Sequence, residues 1–474
     1  MARLVVPATA LAATLLAVPV ILAPLLTVLA VAAVLVVAGV FTRPQLAAYL
    51  LLPAALLTGG VERGVVVPLL RPSEVLFLLV GAALLLRGVV RVAAGHRPGH
   101  AVTKLEVALL MLCVAGSVLP LLMMVARSRP IELEDLLYAS TFWKYLGLYV
   151  IVRVAIRTER QVATCLWLVL GAAVVVAVIG VLQSVELFGV PSLLARFYTP
   201  EGDVSDLVRN RASSTLGSSL AVGDVMVFSL AIAAAWLLRG GPHRKLLAAA
   251  AAAFVFGTVA AGQFSSLIGL VVAAVAVGFI TRRLHRLVLA GTPIAIAAAI
   301  ALEPVIRRRL SGFESSAGLP RSWLGRLENL RRFFWPELSS DFNYVLGVRP
   351  AARIPAPEAW REWVYIESGH TWLLWTGGIP FVIAFAVFAW MGLVRTARLA
   401  RARTGAIGVA ATAAFATLAV QVVLLTLDVH LVLRGAGELT FALLALAFTA
   451  PSGGPAGPGP VVPATSLRPP VPVS

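Results

Sequence analysis

Apolar runs of about 18 residues or more recur along almost the whole chain, each long enough to span a bilayer as a helix. That feature rules out most folds. A membrane barrel would alternate apolar and polar residues, and these runs do not. The bulk composition agrees: 60% of residues are hydrophobic, 13% are charged and the mean hydropathy is +0.94. Soluble domains lie far from these values. The expected fold class is therefore an all-α polytopic membrane protein. Spans are expected near 4–21, 22–41, 44–59, 73–92, 104–126, 136–156, 161–182, 216–238, 244–261, 264–281, 285–302, 371–394, 405–427 and 433–449, about fourteen transmembrane helices in all. The first stretch, MARLVVPATALAATLLAVPV, has the look of a signal peptide. Another apolar run follows almost at once, so it reads as a retained first span.

The formal charge of +17 does not indicate nucleic-acid binding, because the basic residues are scattered among short loops. Arg153, Arg157 and Arg160 fall in one such loop, and Arg239, Arg244 and Lys245 in another. Arg282, Arg283 and Arg286 form a third group, and Arg395, Arg398, Arg401 and Arg403 a fourth. The positive-inside rule makes these loops cytoplasmic. Loops near 60–72, 127–135, 189–213 and 428–435 then face outward, as does the long segment 303–370, whose arginines the rule does not govern. The expected organisation is an N-terminal bundle over 1–302, an extracytoplasmic segment over 303–370, and C-terminal helices over 371–450. A Pro- and Gly-rich cytoplasmic tail over 451–474 is read as disordered. Cys113 and Cys165 lie in apolar runs and read as core residues.

Within the long segment, RSWLGRLENLRRFFWPEL sets Trp323, Leu327, Leu330 and Phe334 on one helical face, and Pro336 is expected to end the helix. It reads as a helix lying in the outer interface. Ionisable residues collect around these outward regions: Arg71, Arg209, Arg211, Arg326, Glu367 and His370. Converging loops would make a cationic pocket with an acid–base pair. Guanidinium groups hold phosphate oxygens in bidentate fashion and keep their charge. Such a pocket suits a pyrophosphate leaving group, whose charge grows as its bond breaks. His370 stands at an expected helix N-terminus, where the dipole favours the neutral imidazole that a general base requires. Glu367, one turn earlier, would orient that imidazole or take the proton itself. Each residue also has a plain structural reading: a helix-end charge for Glu367, an interfacial hydrogen bond for His370, snorkelling for Arg326 and a loop charge for Arg211 or Arg71. Asp224 and Asp428 fall within or beside apolar runs, where ionisable groups are costly. Pairing of Asp224 with Arg209 or Arg211 is the structural expectation. No carboxylate pair has a convincing metal spacing; Glu134–Asp135 comes nearest.

Four stretches together resemble the O-antigen ligase and polysaccharide polymerase family of bacterial inner membranes: RASSTLGSSLAVGDVM, GQFSSLIGLVVA, SWLGRLENLRRFFWPELSSDFNYVLGV and ESGHTWLLWTGGIPFVIAF. The likeness runs from about Arg71 to Phe448. It implies a GT-C-like glycosyltransferase using a glycan on undecaprenyl pyrophosphate, transferring it to an acceptor hydroxyl with inversion and without metal or other cofactor. The resemblance assigns Arg211 and Arg326 to the pyrophosphate, with Arg209 and Arg71 as further cations, and His370 to activation of the hydroxyl. Thr371 follows His370 where ligases carry Asn, Ser or Gln. Ser265–Ser266–Leu267 replaces a Ser–Arg–Gly of many members, and VLGVRP lacks a second Gly.

The expected activity is polymerisation of lipid-linked repeat units at the outer face of the plasma membrane. The sibling alternative is ligation of finished glycan to a terminal acceptor. A flippase for lipid-linked saccharides is the alternative from another class, although related halves and deep central charges are not evident. A cell-wall glycan polymerase of the shape–elongation–division type is a further one, to which Glu367 would supply the acidic loop residue. Expected partners are the lipid-linked donor, the glycan acceptor, membrane lipids and a flippase or chain-length regulator, with no nucleic acid.

Overall fold

The computed structural model describes residues 24–64, 68–96, 102–198, 211–311, 321–357 and 362–449. Among these, nine helices are long and apolar enough to cross a bilayer, which makes this a multi-pass all-α membrane protein. The chain runs through α1 (Pro24–Thr42), α2 (Leu46–Thr58), α3 (Pro72–Ala93), α4 (Lys104–Ala126), α5 (Leu133–Ala155), α6 (Glu159–Ser184) and the short α7 (Val190–Phe197). It continues through α8 (Ser219–Leu238), α9 (Arg244–Ala261), α10 (Phe264–Thr281) and α11 (Leu284–Ala301). The long segment follows, and then α14 (Gly369–Ala402), α15 (Gly405–Leu424) and α16 (Ala436–Ala447) close the bundle. The expected span at 4–21 lies outside the described residues. Cys113 and Cys165 are buried, as expected.

The ends of these helices are set by local chemistry. Thr103 opens α4 by accepting from Glu106 N, while its own N–H donates to the Glu106 carboxylate at 2.6 Å. Arg71 and Gly435 open α3 and α16 with one half of that arrangement, their N–H groups donating to the Glu74 and Glu438 carboxylates. The last helix therefore starts at Ala436, not near 433, because Gly435 takes φ +74 and Glu438 caps the backbone behind it.

The long segment is folded rather than open. It holds α12 (Glu303–Leu310), α13 (Arg321–Asn329) and a two-stranded antiparallel hairpin of β1 (Arg353–Pro355) and β2 (Trp363–Tyr365). Pro336 does not terminate the α13 region. A π turn at Leu330–Phe334 follows α13, and Pro336 sits in the first turn of Trp335–Ser339, where a missing N–H costs nothing. Of the expected apolar face, Leu330 and Phe334 are buried and Trp323 and Leu327 half-buried. Phe334 meets Trp375 edge-on, and Trp335 donates to Thr371 Oγ1 at 3.2 Å. This region thus docks on the start of α14. Arg349 ties the segment to α5 through Asp135, at 2.7 and 2.9 Å, and Arg129 reaches Glu337 at 2.8 Å.

The short connections fall at two ends of the bundle. At one end, arginines from short turns cap the carbonyls of neighbouring helix ends: Arg239 reaches Ala400 O and Arg403 O, and Arg153 reaches Phe448 O. The long segment packs at the other end. There Gly60 N donates to Thr215 O at 2.8 Å, and Gly369 N to Leu425 O at 2.9 Å. The helices are unequal in reach. Lys144 lies 11 residues beyond Leu133, about 16 Å along the α5 axis. It pairs with Glu438 in the first turn of α16 at 2.6 Å. The turn between α15 and α16 is thus sunk well below the start of α5.

Candidate functional site

Among the residues singled out from sequence, the structure places Arg326 and Glu367 in contact. Arg326 comes from α13 and Glu367 from the short stretch between β2 and α14. Arg326 Nε lies 3.2 Å from Glu367 Oε1, its Nη2 lies 3.0 Å from Asp428 Oδ2, and its Nη1 donates to Leu427 O at 3.2 Å. One guanidinium therefore holds two carboxylates and a carbonyl. Asn329, one turn on, hydrogen-bonds Glu367 as well. Burial pushes the Glu367 carboxyl up to about 7, the Arg326 cation opposing that shift and the Asp428 carboxylate adding to it. A carboxyl in that range can take a proton near neutral pH.

His370 is exposed at the second position of α14 and has no hydrogen-bond partner among the described residues. Ser368 is the N-cap there, accepting from Thr371 N. Arg211 is half-buried against Gly262 at the turn between α9 and α10. The segment after it forms a tight turn. Leu216 packs on Gly59 and Gly435, and Gly60 approaches so closely that a Cβ there would sit 2.5 Å from Gly217 N. Arg209 lies outside the described residues.

Arg71 belongs to a second cluster at the same end. Glu74 receives both Arg71 and Arg63, the latter at 3.0 Å. Burial first, and then repulsion from Arg63, bring Arg71 down to about 10. Arg434 lies in the same field, held well below its ordinary value by burial and by Arg71 and Arg63. The helix starts explain this assembly: the carboxylates that accept from the N–H groups opening α3 and α16 also serve as counter-ions to Arg63 and Lys144.

Asp224 does not pair with Arg211, and its other expected partner, Arg209, lies outside the described residues. The Asp224 Oδ2 lies 2.8 Å from His430 Nδ1, and both side chains are fully buried. Burial leaves no room for a long guanidinium, whereas an imidazole brought down by the sunken turn fits. Asp224 Oδ1 and His430 Nε2 have no hydrogen-bond partner among the described residues. The turn is fixed from within, since Asp428 Oδ1 accepts from Val429 N and Asp428 O from His430 N. His430 and Arg434 were missed in the sequence. The available signal was LDVHLVLRGAGE, a polar interruption between two apolar runs. A fully buried ionisable pair is therefore present near this end of the bundle.

No protein-family model matches the chain, and no curated protein matches it.

Proposed function

We propose that the protein is a glycosyltransferase that polymerises an exported polysaccharide from a glycan carried on undecaprenyl pyrophosphate. The Arg326–Glu367–Asp428 constellation carries this reading, because it holds one carboxyl near pKa 7 beside a fixed cation. The acceptor hydroxyl attacks the anomeric carbon from the face opposite the pyrophosphate. Glu367 takes the hydroxyl proton as the new C–O bond forms. The bond from the anomeric carbon to the pyrophosphate oxygen breaks, and the departing negative charge is met by guanidinium, with Arg211 the candidate. Arg326 is engaged on three sides, so its part is to position Glu367 rather than to receive phosphate. In this account Glu367, not His370, is the base. The long segment faces the exterior of the plasma membrane, in keeping with the arginine-rich turns at the other end.

A second reading has one observation in its favour. The buried Asp224–His430 pair is the kind of deep charge that transporters carry, which suits a flippase for the same lipid-linked saccharides. Deleting the gene and weighing the lipid-linked saccharides separates the readings. Single repeat units at the outer face support polymerisation, and finished chains on the lipid indicate ligation. Units confined to the cytoplasmic face indicate a flippase and overturn the proposal.

A further inference from the structure

At the end of the bundle away from Glu367, the turns α8–α9, α10–α11 and α14–α15 meet around a recess of about 660 Å³. Its walls carry Arg239, Arg244, Arg282, Arg283 and Arg401, with Leu238 and Ile280 as an apolar edge. Part of this arrangement is structural. α8, α10 and α14 end here, and helix C-termini favour cations. Arg239 donates to Ala400 O and Arg403 O, and Arg283 to Leu238 O. Arg244 is different. It opens α9, where the positive helix end repels a cation, and the N-cap His243 makes no side-chain capping bond.

A carbonyl satisfies the hydrogen bonds of a guanidinium but leaves its charge. Among the described residues none of the five arginines is in an ion pair. Glu159 reaches the rim at Gly405, but it accepts from Ala406 N at 2.8 Å and is one carboxylate beside five cations. Guanidinium groups set around a recess match the oxygens of a phosphate. The positive-inside rule explains why the arginines lie at this end, not why they converge on one recess. An apolar track leads up to it. Val271, Val275 and Phe279 recur every fourth residue along one face of α10, and all three are exposed. The track ends beneath Arg401, whose guanidinium lies 4.9 Å from the centre of the Phe279 ring. A cationic recess continuous with an apolar stripe on a spanning helix fits an amphiphile.

We propose that this recess is a binding site for the phosphodiester headgroup of an anionic membrane lipid, with an acyl chain laid along the Val271–Phe279 track. The inference is independent of the glycosyl-transfer reading. Inorganic phosphate shares the headgroup chemistry but has no use for the track. The full chain, purified in detergent and mixed with equal amounts of phosphatidylglycerol and phosphatidylcholine, is weighed by native mass spectrometry. Phosphatidylglycerol should be retained at least about tenfold over phosphatidylcholine. Replacing Arg244→Gln and Arg401→Gln together should lower that retention about tenfold. Arg308→Gln, which removes an exposed cation from the long segment, should leave it unchanged. Excess inorganic phosphate should not displace the lipid. A phosphatidylglycerol carrying a photoreactive diazirine on its acyl chain should label the α10 peptide that holds Val275 and Phe279, a readout on the native chain that does not depend on the variants folding. Equal retention of the two lipids, equal retention by the double variant and the native chain, or labelling only away from α10 would each overturn the assignment. Displacement by inorganic phosphate would overturn it too, and would make the recess a site for a soluble phosphate.

Discussion

At the scale of single residues, the account turns on how one carboxyl is tuned. Glu367 shares the Arg326 guanidinium with a second carboxylate, Asp428, and it must be ionised to accept a proton. Its raised pKa therefore makes transfer fall as pH drops below about 7. The rate–pH profile should show a single acid limb there. Asp428→Asn removes the like charge and should move that limb to lower pH, whereas an unmoved limb would detach Asp428 from the titration. Glu367→Gln should lower transfer by about 10²–10⁴-fold, the range for loss of a general base. Exposed and unpartnered, His370 should tolerate replacement by Ala with at least a tenth of the activity kept. The sequence drew attention to both Glu367 and His370, but it could not rank them, since burial and the proximity of Asp428 arise only when α13 and the α15–α16 turn meet.

At the scale of elements, the apolar runs announced the helices well, because a bilayer leaves the backbone few other ways to satisfy its hydrogen bonds. Boundaries were less legible. α16 spans about 18 Å, short of the roughly 30 Å hydrocarbon core, and nothing in the run of hydropathy marks how deep its first residue lies. Pro336 misled because a proline at a helix start and one that ends a helix read alike in sequence. The 34-residue α14 kinks at Gly378, with φ +63 and ψ −156, a conformation open almost solely to glycine. A Cβ there would also stand 2.4 Å from Val345 O, in the segment that folds over the site. Gly378→Ala should destabilise the protein by about 1–3 kcal/mol or more, read as a lower melting temperature of the purified protein. An unchanged melting temperature would mean that the kink is not constrained.

At the scale of the whole molecule, the bundle builds a depth gradient. Long helices such as α5 rise past the short α16, and Arg326 of the folded segment reaches Leu427 and Asp428 in the turn before it. In the proposed reaction Glu367 meets the lipid-borne donor at this end of the bundle. The sidedness has its own check: a cysteine at Ser340 should react with a membrane-impermeant maleimide added outside cells, and one at Arg398 should not. The reverse labelling would put the site on the cytoplasmic face. The grouping of basic turns at one end was legible in sequence, whereas the pairing of Asp224 with His430, 206 positions apart, was not. The most direct test of the central claim is transfer in proteoliposomes holding the purified chain and undecaprenyl-pyrophosphate-linked repeat units, with products weighed by mass spectrometry. The account predicts lengthened lipid-linked glycan from the native protein and almost none from Glu367→Gln at equal protein content. Equal lengthening by both proteins, or none by the native chain, would contradict it.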